Sequence, residues 1–331
     1  LDDDSVDTVV LDGRCRVDRL LSMGSKMLCG TTVPLSTGYP QTVHRADFIE
    51  YVGVADRSGY LMSVHGGVLS HLELRACGMC RGVRSVGGKY LPYIFAAVRV
   101  MLPICAGVDL IDCYGSESRG LTVWGAKGIA IRTHRSNSFQ FHNTRIRSDL
   151  TGEYWPDPLE EHVTDIAGNV VQTPDVDRAA IVLANPTHHQ DLTWFSGLVM
   201  EPIVSGTRPA VSICSQTTRF CNVRFEGGSH SGALFQVRQE NGDVRSGSHV
   251  GIDGIDIQTK GDRPRYLLHA IGGSRYVTLR DVSAHEYVLD ALIACDGGKH
   301  YSPTVERALL TRASTQRIVA LNGAEIVSVA P

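Results

Sequence analysis

The sequence predicts an all-β fold of one kind, a single-stranded right-handed parallel β-helix, that is, a solenoid with rungs of roughly 26 residues or more and with loop insertions. Three observations carry that expectation. An uneven apolar beat recurs along the chain, its spacing is that of a short structural repeat, and turn-forming residues sit at the position the beat skips.

The beat is clearest in "VGIDGIDIQ" (250–258) and "YVTLRDVSA" (276–284), where Ile252, Ile255 and Ile257 are matched by Leu279, Val282 and Ala284. A helix repeats near 3.6 residues and a plain strand every two, so a step of three followed by a step of two marks a bend between two short strands. Further copies are Phe220, Val223 and Phe225 and Val305, Ala308 and Leu310. Weaker ones are Trp194, Gly197 and Val199; Phe141, Thr144 and Ile146; Leu110, Cys113 and Gly115; and Leu69, Leu72 and Leu74. From position 194 the anchors are spaced by 26, 32, 27 and 26 residues, and the earlier gaps of 41, 31 and 53 suit single or double repeats with insertions.

Between the anchors lies a second apolar run: "LTVWG" (121–125), "AVSIC" (210–214), "ALFQV" (233–237), "YLLHA" (266–270), "ALIAC" (291–295) and "RIVAL" (317–321). Each repeat therefore holds two or three strands and no amphipathic helix of normal length, which argues against leucine-rich and helical arrays. A propeller blade needs four strands and about 40 residues, so the repeat is too short for one. At the skipped position stand Asp112, Asn143, Ser196, Asn222, Gly254 and Asp281, types that tolerate left-handed backbone or bond their own backbone in a tight turn; His71 and Arg307 break the series.

Composition fits a single extended domain over residues 1–331, with opening rungs at 1–35, a long insertion at 147–177 and the most regular rungs at 190–330. A solenoid extends its core linearly and need not split as a compact core of this length would. The net charge of -3 gives no basic footprint, so nucleic acid is not an expected partner, and no apolar stretch is long enough to insert in a membrane as a helix. Nine cysteines, an odd number, lie mostly within apolar runs and read as buried small hydrophobes in a protein folded in a reducing cytoplasm. "CGMC", Cys77 to Cys80, has the spacing of half a zinc site or a redox pair, but with no second such motif two structural thiols are the expectation. No cofactor and no metal site is expected. The acidic start "LDDDSVD" at Leu1, without Met or an apolar leader, reads as a piece of a longer chain.

The segment "TVVLDGRCRVDRLLSMGSKMLCGTT" (8–32) resembles the opening rungs of pectate-lyase-like β-helix proteins, where "VxLPxGxYxVxxxLxLxSxxxLxGxG" is frequent. On that resemblance Val9 to Leu11 form the first strand, Gly13 the turn, Val17 and Leu20 the second strand, and Met27 to Gly30 the third; Asp12 and Cys15 depart from the common proline and tyrosine. The superfamily includes pectate lyases, polygalacturonases and trimeric bacteriophage tailspikes, so the resemblance speaks to fold and not to one activity. Polygalacturonase-like "NTD", "DD", "GHG" and "RxK" motifs have only "VHGG" (64–67) and "GGSHSG" (227–232) as near matches. A pectate-lyase-like "WxDH" is reduced to the tryptophan of "VWGAKG" (123–128).

Strands on neighbouring rungs lie about 4.8 Å apart, so stacked carboxylates would fall about 5 or 10 Å apart, near the separations of retaining and inverting glycosidases. Asp253 and Glu306 sit two rungs apart with Arg280 between them. A guanidinium there favours two ionised carboxylates, so the three read first as a surface charge ladder and only second as a site; Arg224 beside Asp256 looks like the same device. The stronger site expectation is the insertion at 147–177, where Tyr154 and Trp155 stand beside Asp157, Glu160 and Glu161 and Glu153, a mixture suited to sugar rings, although "YWP" and "PLEEH" also suit loop packing. His188, His189 and Asp191 of "NPTHHQD" are a weak metal set, because adjacent residues of a strand face opposite ways.

The functional expectation is a virion-associated bacteriophage tail protein, assembled in the host cytoplasm. It would be a homotrimer that contacts other tail proteins and binds, with or without cleaving, host-surface polysaccharide. The alternative is a secreted, extracellular lyase or glycoside hydrolase of the pectin-degrading type.

Overall fold

The computed structural model describes residues 5–31, 47–150, 163–164, 170–171, 179–184, 192–204, 208–226, 232–238, 249–258, 263–284, 288, 290–310 and 315–328. Among these residues all regular structure is β, in strands numbered β1 to β29 in chain order, and no helix is long and apolar enough to cross a membrane. Twenty-four strands share one sheet in which every pairing is parallel. Parallel pairing without helical crossovers requires the chain to return repeatedly to the same side, and the registers show how it does so.

Two long ladders and a short one carry the chain. The first runs through β4 (Met27–Gly30), β7 (Val68–Arg75), β9 (Phe95–Met101), β13 (Phe139–Leu150), β17 (Leu192–Val204), β19 (Thr217–Glu226), β21 (Val250–Gln258), β24 (Thr278–Ala284) and β27 (Thr304–Leu310). Between β9 and β13 it passes through β11 (Glu117–Arg119) and the first half of β12 (Thr122–His134). The second runs from β6 (Asp56–His65) through β8 (Cys80–Val86), β10 (Ile104–Ile111), the end of β12, β16 (Ile181–Ala184), β18 (Val211–Ile213), β20 (Ala233–Arg238), β22 (Tyr266–Ile271) and β25 (Ala291–Asp296) to β28 (Gln316–Leu321). A third joins β23 (Ser274–Arg275), β26 (Lys299–Tyr301) and β29 (Glu325–Val327). The opening strands include β1 (Thr8–Leu11), which pairs with β4, and β2 (Arg14–Val17), with Gly13 in the turn at φ 101°.

The core lies between the ladders. One inward column of the first ladder reads Val9, Leu28, Leu69, Phe95, Ser118, Phe141, Phe195, Phe220, Ile252, Leu279, Val305 in register. Phe141, Phe195 and Phe220 stack with centroids 4.3 and 4.9 Å apart and planes within 8°. Burying each phenyl ring stabilises the fold by about 1.5–3 kcal/mol, and stacking adds about 0.5–1.5 kcal/mol per pair. Ile252, Ile255, Ile257, Leu279, Val282 and Phe220 are all buried. Val305 is only half-buried, because β27 has a described partner on one side alone.

The bend is a corner. Down it run nine positive-φ residues, His71, Ala97, Gly120, Asn143, Gly197, Asn222, Gly254, Asp281 and Arg307, with φ between 47° and 73°. Glycine and asparagine alternate for a packing reason as well as a conformational one. A Cβ on Gly197 would meet Asn143 Oδ1 at 2.8 Å, and one on Gly254 would meet Asn222 Oδ1 at 3.0 Å.

Several details of the sequence pattern are corrected by these registers. His71 and Arg307 belong to the corner; Arg307 is held there by Asp281, its neighbour one strand back, at 2.6 and 2.7 Å. The copy at 194 is one residue out: Phe195, Leu198 and Met200 point inward and Gly197, not Ser196, turns the corner. Leu110 stacks on the second ladder opposite Thr133, and Asp112 turns a different corner with Arg135; the first ladder is filled at that point by Ser118 and Val123. "LTVWG" likewise lies on the first ladder, and "IAIRTH" (129–134) takes its place on the second. A polar Ser118 inside the phenylalanine column hid the true repeat, since apolar periodicity cannot register it.

Candidate functional site

Tyr154, Trp155, Asp157, Glu160 and Glu161 lie outside the described residues, as do His188, His189 and Asp191. The described surface that gathers aromatic and charged side chains is the outward face of the first ladder, on both sides of its corner.

Before the corner two outward columns run in register. One is Gln140, Trp194, Arg219, Gly251, Thr278 and Thr304; the next is His142, Ser196, Cys221, Asp253, Arg280 and Glu306. Asp253, Arg280 and Glu306 therefore do form one column, with Arg280 Nε 2.9 Å from Glu306 Oε2 and both side chains about half exposed. At Gly251 the face is hollowed, because a Cβ there would find only Arg219 Cγ, at 3.9 Å. The hollow is a pocket of about 240 Å³ whose walls include Arg219, Asp253, Arg280, His249 and Tyr276. His249 and Tyr276 turn adjacent steps of another corner, with rings 4.9 Å apart and tilted by 31°. Trp194 is 38% exposed and Tyr276 45% exposed, unusual for side chains of this size on a β face.

Beyond the corner lies an open groove of about 650 Å³ along Asn143, Arg145, Val199, Asn222, Arg224 and Asp256. A chain of ion pairs forms its wall: Arg145 reaches Glu201 at 2.9 Å and Glu226 at 3.7 Å, and Arg224 reaches Glu226 at 2.9 Å and Asp256 at 3.6 Å. The guanidinium groups of Arg145 and Arg147 stand 5.7 and 5.0 Å from the Trp124 ring.

Acid catalysis needs a carboxyl kept protonated near neutral pH. Among the described residues the carboxyls with displaced pKa values are Asp56, Asp109 and Asp281, and all three move down. Hydrogen bonding from Arg307 lowers Asp281. Burial works to raise Asp109, but the Arg132 guanidinium outweighs it and holds the carboxyl at about 2.

Asp109 belongs to a cluster on outward positions of the second ladder that sequence reasoning missed. Arg132 grips it with Nε and Nη2, each at 2.8 Å; Tyr60 donates its hydroxyl to the same carboxylate; and Arg81 Nη1 reaches the Tyr60 oxygen at 3.2 Å. All four residues are buried. His134, also buried, has an Nε2 without a hydrogen-bond partner among the described residues, and burial with Arg132 nearby pushes its pKa down to about 3. The signal was an Asp and an Arg one register step apart, 109 and 132, but the misplaced Leu110 copy hid that step. For the pocket the signal was the position before each anchor, which yields Arg219 and Gly251, and Trp194 once the anchor is moved to Phe195.

Among the described residues no group of three or more His, Cys, Asp or Glu side chains is placed to hold a metal ion. Cys77 is exposed and Cys80 buried, both as free thiols, and burial raises both, Cys80 to about 12, so neither is an activated nucleophile.

The chain matches no known protein family and no curated protein. Among solved structures it is similar to the ORF18 protein of Geobacillus virus E2, with TM-score 0.47 and 10% identity over 98% of this chain and 53% of that one. It is similar to the catalytic domain of a GH87 alpha-1,3-glucanase in complex with tetrasaccharides, with TM-score 0.47 and 10% identity over 98% and 65%. An alginate lyase from Paenibacillus sp. str. FPU-7 gives TM-score 0.43 and 11% identity over 93% and 92%. The chain spans just over half the length of the first and 65% of the second. At these TM-scores the likenesses carry no inference about function.

Proposed function

We propose that the protein is a right-handed parallel β-helix of a bacteriophage tail, a homotrimer in the virion, that binds polysaccharide of the host envelope on the outward face of its first ladder. The observation that carries the binding reading is the pocket at Gly251, where the exposed aromatic ring of Tyr276 meets Arg219, Asp253 and Arg280, with exposed Trp194 on the same face. Sugar rings offer apolar faces and hydroxyl edges, and an aromatic surface flanked by charged hydrogen-bonding groups answers both. The order in which the chain visits the ladders and the resemblance of residues 8–32 support the solenoid, and the free cysteines together with the weak matches to enzyme motifs favour the tailspike branch of that superfamily. The exposed outward faces of a solenoid, which invite association, support the trimer.

In this reading the insertion at 147–177 completes the site, with Trp155 as stacking platform, Tyr154 beside it, and Asp157, Glu160 and Glu161 as hydrogen-bond acceptors.

The test is retention of the full chain by purified host-envelope polysaccharides in affinity electrophoresis. Trp194→Ala and Trp155→Ala should each weaken retention with nearly unchanged melting temperature. Absence of retention by every polymer at saturating concentration defeats the reading, and a light-scattering mass of one chain defeats the trimer.

A further inference from the structure

We infer that the Gly251 pocket is a subsite for an acidic sugar residue, with Arg219 recognising the carboxylate. The inference rests on the polysaccharide-binding reading and specifies its substrate class.

Arg219 is exposed on a floor of parallel strands, and its side chain makes no hydrogen bond or ion pair among the described residues. It differs in this from three arginines of the same face: Arg280 is committed to Glu306, Arg224 to Glu226 and Asp256, and Arg145 to Glu201 and Glu226. Its register partner toward β24 is Gly251, so the space beside the guanidinium stem is open where a side chain would otherwise cover it. An uncommitted guanidinium beside a hollow is a donor fork matched to the two oxygens of a carboxylate.

The remaining walls suit the rest of a sugar ring. Asp253 stands one column over and is positioned to accept from ring hydroxyls, while Tyr276, backed by His249, presents a flat apolar surface. A volume of about 240 Å³ lies below the ~300–1,000 Å³ that drug-sized ligands occupy, so one ring of a polymer is the fitting occupant. Because Arg280 is neutralised by Glu306, Arg219 is the wall residue that offers its positive charge to a ligand, with Asp253 on the same wall.

The experiment measures calorimetric binding of the full chain to polygalacturonate, polysialic acid and hyaluronan, each intact and after chemical reduction of its carboxyls to alcohols. For at least one polymer the intact form should bind about tenfold or more tightly than the reduced form. Arg219→Gln should erase that preference without weakening binding of the reduced form. Gly251→Leu should lose the intact polymer while keeping the melting temperature, since a Cβ there makes only ordinary contact. Equal affinity for intact and reduced polymers, or a preference that survives Arg219→Gln, overturns the acidic subsite and leaves glycan binding standing. Failure to bind any of these polymers overturns the subsite, and the wider reading falls only if envelope polysaccharides are also refused.

Discussion

The outward positions of the two long ladders obey the same alternation and lead to opposite outcomes. On the first ladder Arg280 and Glu306 stack in register and are each 48% exposed; on the second, Asp109 and Arg132 stack in register and are 0% and 1% exposed. A pair in water gains little Coulomb energy and is screened, whereas a buried pair must hold its geometry because each partner would otherwise be an uncompensated charge in a poorly polarisable surrounding. The same in-register stacking therefore gives a solvent-exposed charged face in one region and a structural clasp in the other. What distinguishes them is what covers the strand, which no periodicity of the strand itself contains.

The comparison is broken most severely at the clasp. Asp109→Asn leaves Arg132 and Arg81 facing a neutral amide, and a loss of about 3–5 kcal/mol is expected, measured as a lower midpoint in urea unfolding. Replacing Asp109 and Arg132 together by Leu and Met should cost less than Asp109→Asn alone, because Arg132 is no longer orphaned and only Arg81, which keeps its bonds to Arg57 O and Tyr60, loses the carboxylate. If Asp109→Asn costs no more than an exposed pair, the clasp is dispensable and the contrast between the ladders is false. A comparable loss is expected from Ile255→Asp, which puts an unpaired charge among buried aliphatic groups.

The clasp also predicts a pH dependence. His134 is buried with its pKa lowered from 6.5 to about 3, so the folded state binds this proton less readily than the unfolded state. Stability is thus fully present above about pH 6.5 and declines as pH falls toward 3. Asp109, lowered from 3.8 to about 2, extends the loss below pH 4. His134→Phe should flatten the upper part of that decline in urea midpoints collected between pH 7 and pH 4. An unchanged slope would mean that His134 binds its proton equally in the folded and unfolded chain, so that burial does not depress it.

Much of this was legible in the sequence, and the failures have physical causes. The step of three then two in "VGIDGIDIQ" is a direct image of a corner, because an inward residue on each side of a left-handed turn must skip one position, and Asn222 and Gly254 announce it by type. Where the corner is stabilised by other means, as with Arg307 gripped by Asp281, type is silent and the position looked like a break. Trp194, being apolar, fits the inward beat, although its outward placement is what leaves its ring exposed. The charge ladder of Asp253, Arg280 and Glu306 was visible because in-register neighbours interact through side chains of obvious sign. Arg219 was not, since its significance comes from the side chain that Gly251 lacks.

The smallest expected effect lies on the open face. A double-mutant cycle on Arg280→Ala and Glu306→Ala should give a coupling of about 0.2–1 kcal/mol, falling as salt is raised, because both side chains are half in water and the ordering of two long side chains offsets most of the attraction. Glycan retention is the more sensitive readout for the same variants. Removing Glu306 frees the Arg280 guanidinium beside the Gly251 pocket, so Glu306→Ala should strengthen binding of an acidic polymer while Arg280→Ala leaves it near the starting value. A coupling as large as that at Asp109 and Arg132 would show that the face is rigid and its pairs structural. A gain in binding for Glu306→Ala beside little change for Arg280→Ala, with nearly equal melting temperatures, would show that the column sets the charge offered to a ligand rather than the stability of the strands beneath it.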